Sequence, residues 1–594
     1  MKQILKLAEG FQDPDFSDWE ELAQKALKGA SLDRLTATTY DGIAIKPLYT
    51  AFDAQGISHS QAGAGRDPFL PWDIRQIVTD SDPARANAVA LHDLEHGVSS
   101  IEFHIDPTGI HGVDTGSRNA FPILTKGILT SLATIALSAP TNPLRAATDL
   151  SANIPNHDAK TAKLAFNLDP MAQMMLGDAP FSPSDAVAFA KEAATRFPAA
   201  TALRADARPI HEGGGSEAQE LAVLIASGIA HLKAGDAIGL SAEDINATLL
   251  FTMSVGPDVV LEIAKLQAAR RLWARVMQAC GSPAPMNLQA VTSGRMQTIA
   301  DPWTNILRAT CAAFAAGAGG ADSVTVLPFT SAFAVADEAA RRIARNTQLI
   351  LQEESHLGRV SDPAAGAWAI EILADDLAKV AWGRLQEIEK AGGLGAALGL
   401  GLVQGWVSQT RAARERDVAR RKTPLIGVSL FPNLAEDLKI AAIHPQPTAK
   451  GAMAPMRLSE PYEALRARAI ASNPSIFLAT LGVVSQFSGR AGFARNAFEA
   501  GGIKTIGEED VYNDDAGIVA AFVKSGAKIV CLCGDDAGYE GRAPALAQAL
   551  KAAGAVSVWL AGKGRYDGVD RIIFAGADIL AELTFAHQIL EGAL

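Results

Sequence analysis

Cysteine is scarce: the chain has four, Cys280, Cys311, Cys531 and Cys533, in 594 residues. None has the paired spacing of a structural zinc site, and no metal is expected. So large and cysteine-poor a chain has no disulfide framework, and a reducing cytoplasm is the expected compartment. No uninterrupted apolar run approaches the ~20 residues of a membrane span. The N-terminal "MKQILKLAEG" turns acidic too early for a secretory signal. Basic residues are in deficit, with 53 Lys and Arg against 65 Asp and Glu, a net charge of −12. That balance argues against nucleic acid and anionic membrane surfaces as partners. The acidic residues are spread through the chain, so the charge serves solubility.

Generic motifs are missing too. There is no GxxxxGK[ST] phosphate loop. "GAGGAD" at 317–322 lacks the preceding strand of a dinucleotide site and reads as a tight helix-to-strand turn. "IHEGGG" at 210–215 begins like HExxH but has no second His, which argues against zinc at His211. "GGLGAALGLGLV" at 392–403 has neither charge nor hydroxyl and suits helix packing.

What is present is the pattern of a large soluble α/β protein, with 48% hydrophobic and 20% charged residues. Residues 1–35 form an N-terminal arm with one helix. Ser17 and Glu20 fit a capping box, and Trp19, Leu22, Ala23, Ala26 and Leu27 recur at helical spacing. Packing of this arm on its own chain is the default expectation, and reach to a partner the alternative. Residues 36–425 alternate strand-like runs with long helical patterns. "VSSIEFHI" (98–105), "AKLAFNL" (162–168), "ATALRADA" (200–207) and "SVTVLPF" (323–329) are candidate strands. This alternation predicts a (β/α)8 TIM barrel. Residues 426–474, with six prolines and little periodicity, are a linker. Residues 475–594 alternate five strand-like runs with helical patterns, as in a flavodoxin-like, doubly wound domain. Its helical patterns fall at about 490–500, 514–525, 540–553 and 577–592. In such a sheet ligands sit at the carboxyl ends of the strands. "IFLATLGVVSQFSGRAGF" (476–493) occupies that place, yet its loop has no His, no Cys, no Lys and no acidic residue.

Several stretches together resemble the methylmalonyl-CoA mutase family. They are "TATTYDGIAIKPLY" (36–49), "PWDIRQ" (71–76), "LQAARRLWA" (266–274), "DPWTNILRAT" (301–310) and "RIARNTQLILQEESHLGRVSDPAAGAWAIE" (342–371). "GVSLFPNLAE" (427–436) and "RLSEPYEALRARA" (457–469) are more similar to the small subunit of heterodimeric bacterial enzymes than to the large one. The resemblance implies an acyl-CoA threaded through the barrel and adenosylcobalamin held between the barrel and the C-terminal domain. It also implies radical interconversion of methylmalonyl-CoA and succinyl-CoA.

The residues that such chemistry needs are replaced. Catalytic chains carry a motif similar to "LAKMGQDGHDRG", whose His ligates cobalt and whose Asp holds that imidazole. On this chain the Lys falls on Thr480, the Asp on Val484 and the His on Gln486, while the motif's Gly is kept as Gly489. The family's Ser-x-Leu contact falls near Cys533 and Asp535, and its Gly-Gly pair on Ala561 and Gly562. Asp535 would place a charge where the nucleotide tail is buried. In the barrel, the Tyr after "IRQ" is replaced by Ile77. An active-site Tyr-His pair falls on Arg208 and Pro209, with His211 two residues away. A register slip that put His211 in that role would need a compensating gap.

The expectation is a non-catalytic small subunit that pairs, as a heterodimer, with a homologous large subunit carrying the adenosylcobalamin. Two alternatives stay open: a cobalamin-dependent mutase without the His ligand, and a free-standing CoA-ester-binding or regulatory protein.

Overall fold

In a computed structural model, residues 15–57, 70–436 and 451–592 are described, apart from 111, 118, 179, 180 and 361. Eight parallel strands close a barrel. In chain order they are Asp73–Val78, Ser100–His104, Thr134–Ser138, Leu164–Leu168, Thr201–Asp206, Leu249–Val255, Leu288–Thr292 and Ser323–Thr325. The last pairs with both its neighbours, Ser323 lying opposite Gln289 on one side and Asp73 on the other, and so closes the ring. The predicted barrel is therefore present. The four quoted candidate strands are strands two, four, five and eight. Of the other four, Arg75 and Gln289 interrupt two, and a short run such as Thr134–Ser138 also suits a helix interior.

Long helices surround the barrel. Glu217–Asp236 is buried over most of its length because it is covered by the helices Val259–Ala279 and Trp368–Lys390. Gly228 permits the approach: a Cβ there would lie 2.7 Å from the Trp273 ring.

The second sheet has five parallel strands in the spatial order Lys504–Ile506, Ser475–Thr480, Ile529–Cys533, Ser557–Ala561 and Arg571–Ile573. This 2-1-3-4-5 order is the doubly wound topology. One face is covered by Val484–Ala500 and Ile579–Leu590, together with Ala300, Val418, Leu425 and Val428 from the barrel side of the chain. Asp515–Ser525 and Asp536–Ala552 cover the other.

Two details correct the sequence reading. The arm helix, Phe16–Ala26, is capped by Asp15, whose carboxylate accepts from the Ser17 amide, and not by a Ser17–Glu20 box. None of its residues is fully buried, and Trp19 and Ala23 on it are half-buried. The segment read as a linker contains a helix, Glu460–Ser472. Tyr462 on that helix is fully buried with its hydroxyl donating to the Val418 carbonyl at 3.2 Å, and Glu463 accepts from the Ile299 amide at 2.6 Å. These contacts tie the helix to the barrel side; the prolines at 445 and 447 lie outside the described residues.

Candidate functional site

The first strand of the second sheet ends at Thr480, and the next helix begins at Val484, six residues before the predicted start. The connection is three residues, Leu481–Val483. Gly482 has φ +88°, and a Cβ there would lie 2.3 Å from Gln486 Oε1, so glycine is required. Gln486 closes the turn. Its Oε1 accepts from the Val483 amide at 3.0 Å, and its Nε2 donates to Asp535 Oδ2 at 3.0 Å. Thr480 is buried and donates to the Asp510 carbonyl at 2.5 Å. Val484 is exposed on the first turn. Gly489 lies inside the helix, where a Cβ would meet nothing within 4 Å, so it no longer shapes a loop.

Asp535 is half-buried. It caps the helix Asp536–Ala552, with Oδ1 accepting from the Gly538 amide at 2.7 Å. A carboxylate is favourable at that helix end. Cys533 and Ala561 are buried strand ends, and the Gly562 amide donates to the Ile573 carbonyl.

Two residues that sequence reasoning missed fill the crevice at these strand ends. Tyr539 is fully buried; its hydroxyl accepts from the Gly534 amide at 2.8 Å and lies 2.9 Å from the Ala561 carbonyl and 3.1 Å from that of Leu532. Burial pushes this phenol well above its ordinary pKa, so it stays a neutral donor. Arg490 donates to the Gly534 carbonyl at 2.8 Å and pairs with Asp536 at 2.6 Å. Arg490 also lines a cavity of about 590 Å³ at these strand ends, together with Phe493, Ala561, Gly562, Tyr566 and Phe574 among others. The residues at this switch point do not fit a cobalt corrin. They offer no imidazole, the position onto which the resemblance sets the ligating His is an amide already bonded on both sides, and the strand ends are bridged by a phenol.

The barrel mouth is likewise occupied. Ile77 pairs in register with Glu102, so both point into the barrel. Glu102 accepts from Gln289 Nε2 at 3.4 Å and from Arg204 Nη1 at 3.5 Å, which links strands two, seven and five across the lumen. All three residues are buried. Arg208 forks onto Asp206, with Nε to Oδ1 at 2.9 Å and Nη2 to Oδ2 at 2.5 Å. Pro209 occupies the first turn of the short helix Arg208–Glu212, where its missing N–H costs nothing. The signal for the lumen network was in the sequence: Glu102, Arg204 and Gln289 each interrupt an otherwise apolar strand.

His211 is buried, 2% exposed, with Nε2 2.9 Å from Ser293 Oγ and Nδ1 3.4 Å from Glu220 Oε2. Burial, with Arg295 beside it, drives its pKa well below the usual imidazole value. Glu220 in turn shares Lys265 with Glu262, at 2.8 and 2.7 Å. His211 thus belongs to an interior polar network. Both of its ring nitrogens have partners there.

Comparison with known proteins agrees with this frame. A family profile described as methylmalonyl-CoA mutase matches residues 161–463. The chain belongs to the methylmalonyl-CoA mutase family. It is 40% identical to the methylmalonyl-CoA mutase small subunit of Streptomyces virginiae, over 98% of this chain and 97% of that protein. It is 32% identical to the small subunit of Propionibacterium freudenreichii subsp. shermanii, over 99% and 96%. The methylmalonyl-CoA mutase of Rhizobium meliloti is 30% identical over 70% of this chain and 63% of that protein. The match is thus end to end with these two small subunits and partial with the Rhizobium meliloti mutase. No described helix is long and apolar enough to cross a membrane.

Proposed function

We propose that this chain is the small, non-catalytic subunit of a methylmalonyl-CoA mutase. It pairs in the cytoplasm with a homologous large subunit, which binds adenosylcobalamin and carries out the rearrangement. The observation that carries this reading is the Gln486–Asp535 bond. Two positions where the family resemblance expects cofactor contacts are bonded to each other, which closes the turn after the first strand. The lumen bridge of Glu102, Arg204 and Gln289 supports the same reading from the barrel side, because an acyl-CoA chain would have to part it. The domain plan follows: an exposed arm at 1–35, a barrel at 36–425, a connecting segment at 426–474 and a sheet domain of cobalamin-binding type at 475–594. The arm helix, without a buried residue, is the natural element to reach the partner.

What remains for such a chain is architecture. A radical enzyme works only with water and oxidants excluded and its halves held in a fixed relation. A homologous silent chain supplies a pseudo-symmetric surface for that purpose. Two experiments test the reading. The purified chain, titrated with adenosylcobalamin, is expected to give no saturable change in the visible spectrum. Co-expressed with a catalytic mutase chain, it is expected to co-purify at one to one. Saturable cofactor binding, or failure to co-purify, overturns the proposal.

A further inference from the structure

The barrel closes where the last strand, Ser323–Thr325, meets the first, Asp73–Val78, and side chains of the helices that follow these strands meet across the seam. Asp93 on the first of them, Pro83–Glu95, is buried and pairs with Arg345 on the last, Glu338–Leu349, at 2.8 Å. Along the same edge, His92 and His96 sit four residues apart, which places them on one helix face. Their ring centroids are 4.1 Å apart. His96 Nδ1 is 2.6 Å from the His92 carbonyl. That contact needs a proton on Nδ1, so the neutral ring presents a free lone pair at Nε2, the way a partner on one nitrogen prepares the other for a metal. His92 Nε2 faces Glu338 Oε1 across the seam at 3.8 Å. His96 is also the C-cap of its helix, where the aligned peptide dipoles favour positive charge.

We propose that His92 and His96 form a site for a divalent transition-metal ion such as Zn²⁺, with Glu338 as the ligand from across the seam. Paired imidazoles four apart on a helix are a recurring donor set for zinc, and a carboxylate with water completes four-coordination. Among the described residues no three such side chains already converge on one point. The Glu338 side chain is 71% exposed, which leaves it room to swing in. The bound ion would then clip the first helix to the last and strengthen barrel closure, beside the Asp93–Arg345 pair that already does so.

The test uses the full chain, free of any polyhistidine tag and stripped with a chelator. Titration with ZnCl₂ by calorimetry is expected to show one saturable site, and MgCl₂ none, since Mg²⁺ prefers oxygen ligands. His92→Gln and His96→Gln are each expected to weaken zinc binding at least about tenfold. Zinc is expected to raise the thermal midpoint of the wild-type chain, and Glu338→Gln to lose that rise. Absence of saturable zinc binding, binding unchanged in both histidine variants, or a thermal rise that survives Glu338→Gln overturns the proposal. The two histidines are partly exposed, so these variants are expected to fold, and their circular dichroism in chelator is the control.

Discussion

Gln486 donates to Asp535 across 49 residues of sequence, at 3.0 Å, and joins the first turn after one strand to the helix cap after another. Each residue looks like a lost ligand contact when read alone. Together they are a replacement structure, in which the amide satisfies the turn and the carboxylate satisfies the helix. Restoring one member therefore does not restore a site. Gln486→His is expected to give no adenosylcobalamin-dependent spectral change, because Tyr539 and the shortened loop remain. A saturable shift of the cofactor spectrum with this single variant would count against the closed-site reading.

Gln486→Ala tests the structural role directly. It removes the acceptor of the Val483 amide and the donor to Asp535 on a partly solvated turn. The expected loss is about 1 kcal/mol, the usual size for a helix-end hydrogen bond. Urea denaturation of the purified chain reads it, and activity of the two-subunit complex should be unchanged.

Tyr539→Phe removes one hydroxyl and little volume. The Gly534 amide and the carbonyls of Leu532 and Ala561 then lose a shared partner in a buried place. Unsatisfied buried groups cost roughly 1–3 kcal/mol each, so the stability loss should exceed that of Gln486→Ala. Equal stability of Tyr539→Phe and wild type would mean that water replaces the phenol, and that the crevice is open to solvent.

The barrel and the second sheet were legible because strand–helix alternation is a property of hydrophobic periodicity. Strands one, three, six and seven were not, since Arg75 and Gln289 interrupt two of them, and short apolar runs such as "TIALS" resemble helix interiors. The emptiness of the loop at 481–489 was visible from residue types. Its helical start at Val484 was not, because the cap is Gln486 reaching back to the Val483 amide and no Ser, Thr, Asp or Asn marks the position. Tyr539 escaped notice because its partners are two carbonyls and one amide at the ends of two strands, none of which has a side-chain signature. Helix Glu460–Ser472 was hidden by weak amphipathicity, as it is gripped on several sides rather than along one stripe.

Asp169 carries a pH prediction. Burial, helped by the nearby Asp206 carboxylate, raises its pKa to about 7. An unfolded Asp titrates near about 3.9. The folded chain therefore binds this proton more tightly, and the stabilisation is complete below about pH 4 and lost as pH rises through about 7. Asp169→Asn removes the titration at the cost of one acceptor, from either the Ala172 or the Asp206 amide. Thermal midpoints measured from about pH 5 to 8 should move in favour of the variant as pH rises. A wild-type-to-variant difference that stays flat over this range contradicts the assignment.

Lys265 separates burial of charge from loss of its partner. Its ammonium is fully buried, and its pKa is raised above the ordinary value because Glu220 and Glu262 outweigh the desolvation that opposes them. The Ser254 carbonyl accepts a third bond from it at 2.7 Å. Lys265→Met leaves two carboxylates facing each other in the interior, and removing one partner of a buried pair costs about 3–5 kcal/mol. The loss should shrink at acid pH, where those carboxylates take up protons and the repulsion falls. Combining Lys265→Met with Glu220→Gln and Glu262→Gln should recover part of the stability, since the uncompensated charge is then gone. Chemical denaturation of the single and triple variants distinguishes the cases. If the triple variant is no more stable than Lys265→Met, lost hydrogen bonds rather than unpaired charge account for the effect.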